Sequence, residues 1–71
     1  MTLVVHLAQH RKAAGLTQAA LAEAVGVSRK TVNTVENGVF VPSTVLALRM
    51  AQVLGVTVED LFELNDKETL K

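Results

Sequence analysis

Four glycines set the layout of this chain. Gly15, Gly26, Gly38 and Gly55 each follow a segment whose apolar residues recur at helical spacing, and a small or polar residue follows each within a few positions. A glycine just past a helix is the usual left-handed cap, because without a β-carbon it meets no clash at positive φ. Hydroxyl residues suited to open the next helix stand nearby at Thr17, Ser28, Ser43 and Thr57. Pro42 cannot sit inside a helix and marks a loop before the fourth one. Thr57 with Asp60 three residues on fits a capping box, with acid in the first turn to suit the helix dipole. The pattern predicts helices at roughly 3–14, 18–25, 29–37, 43–54 and 58–64. No window alternates with period two for long. Leu3-Val4-Val5 is too short to outweigh the helical spacing after it, and Val39-Phe40-Val41 reads as a loop. The expected fold class is all-α.

At 71 residues the chain is expected to hold one domain, over 1–64, with a short polar tail at 65–71. Hydrophobic residues make up 49 % and charged residues 20 %, too apolar a mixture for a disordered segment. A lone core of this size is thin and usually needs disulfides, metal, close helix packing or oligomerisation. With no cysteine, disulfides and thiolate metal sites are excluded. There is no tryptophan or tyrosine and only two phenylalanines, which argues against stacking on single-stranded bases. No apolar run approaches a membrane span, and the start lacks the basic and apolar regions of a signal peptide. These features lead to the expectation of a small soluble dimer of the reducing cytoplasm.

Zero net charge hides a gradient. Residues 11–49 hold five cations against Glu23 and Glu36, a balance of +3. Residues 50–71 hold two lysines against five acids, a balance of −3. A basic middle and an acidic end suit one face for a polyanion and another kept from it, though ordinary solvated charge reads the same way. The segments Leu21–Ser28 and Met50–Thr57 echo each other as helix, glycine and cap. The acidic run after Thr57 would repel phosphate, so the echo reads as shared junction chemistry and not as a second reading unit.

Function concentrates in Gln18 to Asn37. Only Gly26-Val27-Ser28 joins the second and third helices, a turn that sets them at a steep angle as in a helix-turn-helix. The position where the helices approach must be small and is Ala22; the turn needs glycine and has Gly26. Leu21, Val25, Val27, Val32 and Val35 fall where the shared core must lie, so all seven demands are met. Arg29, Lys30, Asn33 and Thr34 are left facing outward on the third helix, with Ser28 at its cap. Arginine and lysine can donate to guanine N7 and O6, and asparagine can read adenine bidentately. A polar solvent face is the bland alternative, and the seven matches count against it.

Leu16-Thr17-Gln18, Leu21-Ala22, Gly26-Val27-Ser28, Thr31-Val32, Glu36-Asn37-Gly38 and Pro42-Ser43 closely resemble the phage Cro/repressor-type (XRE) family. So do Ala47, Ala51, Leu54-Gly55-Val56 and Glu59-Asp60-Leu61-Phe62, and the likeness runs over about residues 5–64. The resemblance implies a compact five-helix, lambda-repressor-like domain that binds operator DNA as a transcriptional regulator, commonly as a homodimer on palindromic sites. It implies a phosphate contact and a brace on the recognition helix for Gln18, base reading for Arg29, Lys30, Asn33 and Thr34, and a phosphate contact for Asn37. It also implies a semi-buried ion pair between Arg11 and Glu36 tying the first helix to the third. In one place the sequence departs from the family. The loop after the third helix, often basic or polar in relatives, is Val39-Phe40-Val41 here, which puts loop–phosphate contacts in doubt and leads to the expectation that Phe40 packs.

His6 and His10 have the i, i+4 spacing of a zinc site, but Leu7 stands where a metalloprotease needs glutamate and no third ligand is evident, so two surface histidines are favoured. No metal or cofactor is expected, and no nucleophile or phosphate loop argues for an enzyme. Leu3, Leu7 and Ala14 on the first helix, and Leu46, Ala47, Met50, Ala51 and Leu54 on the fourth, are read as core. Val45 and Leu48 point off that stripe, and Val58, Leu61, Phe62 and Leu64 spread over a wide arc, leading to the expectation of a homodimer interface on the last two helices. The first reading is a DNA-binding regulator, with repression the usual outcome in relatives. The rival is a protein-interaction module of the same fold, such as an antitoxin neutralising a partner protein.

Overall fold

Among the described residues, every helix but the first begins where a hydroxyl oxygen can close its first turn. The computed structural model describes residues 3–65; most of the expected tail, Asp66 to Lys71, lies outside them. Thr17 accepts the Ala20 N–H at 3.0 Å and opens α2 (Gln18–Val25). Ser28 accepts the Thr31 N–H at 3.2 Å and opens α3 (Arg29–Glu36). Ser43 does the same for Leu46 at 3.1 Å ahead of α4 (Thr44–Leu54). At α5 (Val58–Leu61) the bond is reciprocal: Thr57 Oγ1 accepts the Asp60 N–H at 3.1 Å and Asp60 Oδ2 accepts the Thr57 N–H at 3.0 Å. Each such cap satisfies amides that the helix itself leaves without partners.

The two ends of the described chain depart from the all-helical expectation. Leu3–Val5 is a strand, β1, and α1 runs only over Leu7–Ala13. The last helix stops at Leu61, and Phe62–Leu64 forms β2. The strands pair antiparallel with Leu3 opposite Leu64, Val4 opposite Glu63 and Val5 opposite Phe62, while the His6 N–H donates to the Leu61 carbonyl at 2.7 Å. Two β-branched valines suit the strand, but the deciding contact comes from the far end of the sequence, where local periodicity has no information. The wide apolar arc read over Val58 to Leu64 is therefore a short helix followed by a strand. Ala14, read as core, is an exposed helix cap, and Leu3 is half-buried in β1.

Among the described residues the architecture is mostly helical, five helices closed by a two-stranded sheet. Its core joins Leu7 of α1, Leu21, Ala22 and Val25 of α2, Val32 and Val35 of α3, Leu46, Met50 and Ala51 of α4, and Leu61 of α5. Val5, Leu16, Val27, Leu54, Val56, Val58 and Phe62 pack around that cluster, half-buried. Fully burying one Leu, Val or Met side chain contributes about 1.5–3 kcal/mol, so this small set holds α2 and α3 in a fixed relation.

Candidate nucleic-acid interface

The turn between α2 and α3 depends on backbone conformation more than on space. Gly26 sits at φ 80°, in the left-handed region. A β-carbon there would meet only Arg49 Nη1, at an ordinary 3.8 Å, so glycine is required for its φ and not for a close approach. Its N–H donates to the Ala22 carbonyl at 2.9 Å, and the Val27 N–H donates to the same oxygen at 3.0 Å, which ends α2 in one step. Ser28 then starts α3 at once.

Polar groups brace α3 on the side facing α1 and α2. Arg11 Nε donates to Glu36 Oε2 at 2.6 Å and Arg11 Nη2 to Oε1 at 3.3 Å, with side chains only 11 % and 6 % exposed. Arg11 Nη1 also donates to the Leu16 carbonyl at 2.9 Å. Gln18 Nε2, in the first turn of α2, donates to Glu36 Oε1 at 2.9 Å and to Asn33 Oδ1 at 3.2 Å. One carboxylate thus ties α1, α2 and the end of α3 together, and Gln18 also fixes the Asn33 carboxamide. Charge-assisted, forked bonds of this kind add geometric specificity as well as energy, and here they bear on the placement of α3.

The opposite side of α3 is open. Val32 and Val35 are fully buried, whereas Arg29, Lys30 and Asn33 are exposed. Asn37, the helix cap, is exposed as well. Thr34 is only half-buried, and its hydroxyl donates to the Thr31 carbonyl at 2.9 Å, so of the residues expected to face outward it offers the least. Ser28 shares its hydroxyl with Thr31 Oγ1 at 3.0 Å. Two cations therefore stand in the first turn of a helix whose N-terminal end already carries partial positive charge.

The loop after α3 corrects a further expectation. Phe40 is 47 % exposed and does not pack into the core; Val39 and Val41 are more exposed still. The loop is held by its backbone, since the Val39 and Phe40 N–H groups both donate to the Thr34 carbonyl, at 2.9 and 3.2 Å. Apolar composition alone could not show that backbone bonds, and not burial, fix this segment.

Arg49 of α4 adds a cation that the helix-turn-helix spacing could not reveal. Its guanidinium reaches the turn at Gly26, with Nη1 3.8 Å from where a β-carbon on that residue would stand. His6 is half-buried and turns Nε2 toward Glu63 Oε1 at 2.7 Å, linking the start of α1 to β2. Among the described residues no group of three histidine or carboxylate side chains could hold a metal ion. No helix among them is long and apolar enough to cross a membrane.

Residues 2–64 match the protein family described as a helix-turn-helix domain. An HTH-type transcriptional regulator of Methanothermobacter thermautotrophicus is 49 % identical over 59 residues, 82 % of this chain and 86 % of that protein. Another, from Methanocaldococcus jannaschii, is 42 % identical over 62 residues, 87 % of this chain and 94 % of that protein. Among solved structures, the clp gene regulator ClgR of Corynebacterium glutamicum superposes with a TM-score of 0.72 at 33 % identity, covering 76 % of this chain. The SinR protein–SinI protein complex contains a chain that superposes with a TM-score of 0.73 at 33 % identity, covering 92 % of this one. This chain spans 57 % and 63 % of those two chains. A turn locked by Gly26, a buried α2–α3 face and a match running through nearly the whole sequence agree, and the chain belongs to the helix-turn-helix family of transcriptional regulators, a class that is not enzymatic.

Proposed function

We propose that this protein is a sequence-specific double-stranded DNA-binding repressor of the Cro/repressor (XRE) type, acting in the cytoplasm on the nucleoid. The observation that carries the reading is the division of α3, whose apolar face is fully buried while Arg29, Lys30 and Asn33 stand exposed on the other. In the major groove, Arg29 or Lys30 would donate to guanine, and Asn33, whose Oδ1 accepts from Gln18, would present both of its amide hydrogens to a base edge. Gln18, Ser28 and Asn37 flank that face and would meet phosphates, with Thr34 a lesser contact. Two copies would place their α3 helices in successive major grooves about 34 Å apart on a palindromic operator. A repressor of this kind blocks access to a promoter by occupying it.

Selection from a random duplex pool at moderate salt tests the reading. The expected result is an enriched two-fold symmetric motif. Binding without enrichment that fades as salt rises would be counterion release alone and would overturn sequence reading. A second reading, a module that binds a partner protein such as a toxin, draws support from the exposed Val39, Phe40 and Val41 and from the likeness to a chain of the SinR protein–SinI protein complex. A small protein copurifying in fixed ratio would favour it.

A further inference from the structure

Asparagine reads adenine by presenting its oxygen and its amide hydrogens to the base edge together. In this protein Asn33 does not have both to offer. Glu36, bound by Arg11 Nε and Nη2, is a carboxylate, and a carboxylate only accepts hydrogen bonds. Gln18 must therefore turn its amide nitrogen, and not its oxygen, toward Glu36 Oε1, 2.9 Å away. The same nitrogen donates across 3.2 Å to Asn33, which must answer with its oxygen. Polarity thus passes along one line, from an almost covered carboxylate through the half-buried Gln18 to the exposed Asn33. What Asn33 has left is Nδ2 with its two hydrogens, on the helix that also exposes Arg29 and Lys30.

We propose that Gln18 and Glu36 make Asn33 a donor-only reader, and that the base it selects is guanine and not adenine. The proposal rests on the reading of α3 as the helix that enters the major groove. Guanine shows two acceptors there, N7 and O6, and one amide nitrogen can give a hydrogen to each. Adenine sets its N6 amino group beside N7, so one Asn33 hydrogen would face another hydrogen. Cytosine offers only an amino group, and thymine a single acceptor next to a methyl group, which ranks both behind guanine. An unrestrained asparagine can turn its amide over to suit adenine. Here that turn would set Nδ2 against the Gln18 nitrogen, donor against donor. Gln18 and Glu36 are positioning residues, since they act on the base through Asn33. Both hydrogens of Gln18 Nε2 are engaged in these bonds, so a phosphate contact at Gln18 falls to its backbone N–H in the first turn of α2.

Two measurements test the lock, the first without DNA. In the free protein the side-chain amide hydrogens of Gln18 should exchange with water more slowly than those of Asn33, as read from nitrogen-15 spectra. Equal or reversed exchange would overturn the proposal and leave the operator reading untouched. The second compares binding across duplexes that carry each of the four bases at every position of the selected half-site. Asn33→Ala should flatten one position, where the wild type prefers guanine to adenine on the order of tenfold. Gln18→Met releases the Asn33 amide, so guanine and adenine should become nearly equal at that position while preferences elsewhere persist. A merely structural role for Gln18 would weaken binding to every duplex alike and leave that preference in place, which counts against the proposal. So does an adenine preference at the Asn33 position, or no position that responds to Asn33→Ala. Circular dichroism checks that Gln18→Met folds; if it does not, amide exchange and the base at the Asn33 position still decide. A wild type with no base preference at any position would sink the operator reading, and this inference with it.

Discussion

Arg11 and Glu36 meet at 2.6 Å, His6 and Glu63 at 2.7 Å, and both pairs join segments far apart in the sequence. The surroundings of the two contacts differ. The first pair is almost covered, and its atoms are shared with Gln18 and the Leu16 carbonyl. The second lies on the surface, with side chains 31 % and 60 % exposed, and has no further partner among the described residues. Equal distances therefore conceal unequal consequences. Losing one member of a covered pair strands the other charge away from water, whereas losing one member of an exposed pair returns the other to solvent. The covered pair sits behind the helix proposed to read DNA and fixes its placement, while the exposed pair fastens the two short strands.

Breaking the covered pair should have the largest effect. Glu36→Ala leaves Arg11 without its carboxylate and Gln18 with one acceptor, and should cost roughly 3–5 kcal/mol of unfolding free energy. Denaturant titration measures it, and a loss below about 1 kcal/mol would place the pair with ordinary surface contacts. Arg29→Ala probes the other side of the same helix. It removes an exposed side chain, so stability should stay within about 0.5 kcal/mol of wild type. Binding to the selected operator should weaken by about 1–3 kcal/mol, with specificity relaxed at one base position. An equal loss on every duplex would make Arg29 a phosphate contact instead.

The sequence made α2 and α3 legible because their constraints are local. Ala22, Gly26 and the buried Leu21, Val25, Val32 and Val35 fall within one short window whose spacing is the geometry itself. The capping box at Thr57 and Asp60 was legible for the same reason. The sheet was not, since three-residue strands carry almost no periodic signal and the pairing of Leu3 with Leu64 is a property of the closed fold. Thr34 shows a finer limit. Spacing puts it near the outward face, but a threonine in a helix can turn its hydroxyl back to its own backbone, and this one does. Phe40 and Arg49 were misread or passed over because their surroundings come from loop closure and from α4, neither of which spacing within α3 encodes.

Glu63→Gln addresses the exposed pair. The substituted amide retains an oxygen that can accept from His6, so the expected change is no more than about 1 kcal/mol and should shrink as salt is added. A loss as large as that of Glu36→Ala would mean that the strand clip carries the fold, and the contrast between the two pairs would collapse.

The smallest effect is expected at Asp60, where a charge acts on a helix end without an ion-pair partner in contact. The Thr57 backbone N–H bonded to its carboxylate, with help from the Thr57 side chain and the nearby His10, holds the Asp60 pKa below the usual aspartate value. A carboxyl whose folded pKa is depressed binds its proton more readily in the unfolded chain, so it stabilises the fold above the unfolded pKa. That contribution disappears as pH falls through the lower, folded value. Asp60→Asn keeps an acceptor for the Thr57 N–H but cannot titrate. The stability difference between wild type and Asp60→Asn, followed by denaturant midpoint, should therefore be present near neutral pH and fade only on the acid side of the ordinary carboxylate range. A difference that does not change with pH would assign the cap to hydrogen-bond geometry alone and remove charge from its account.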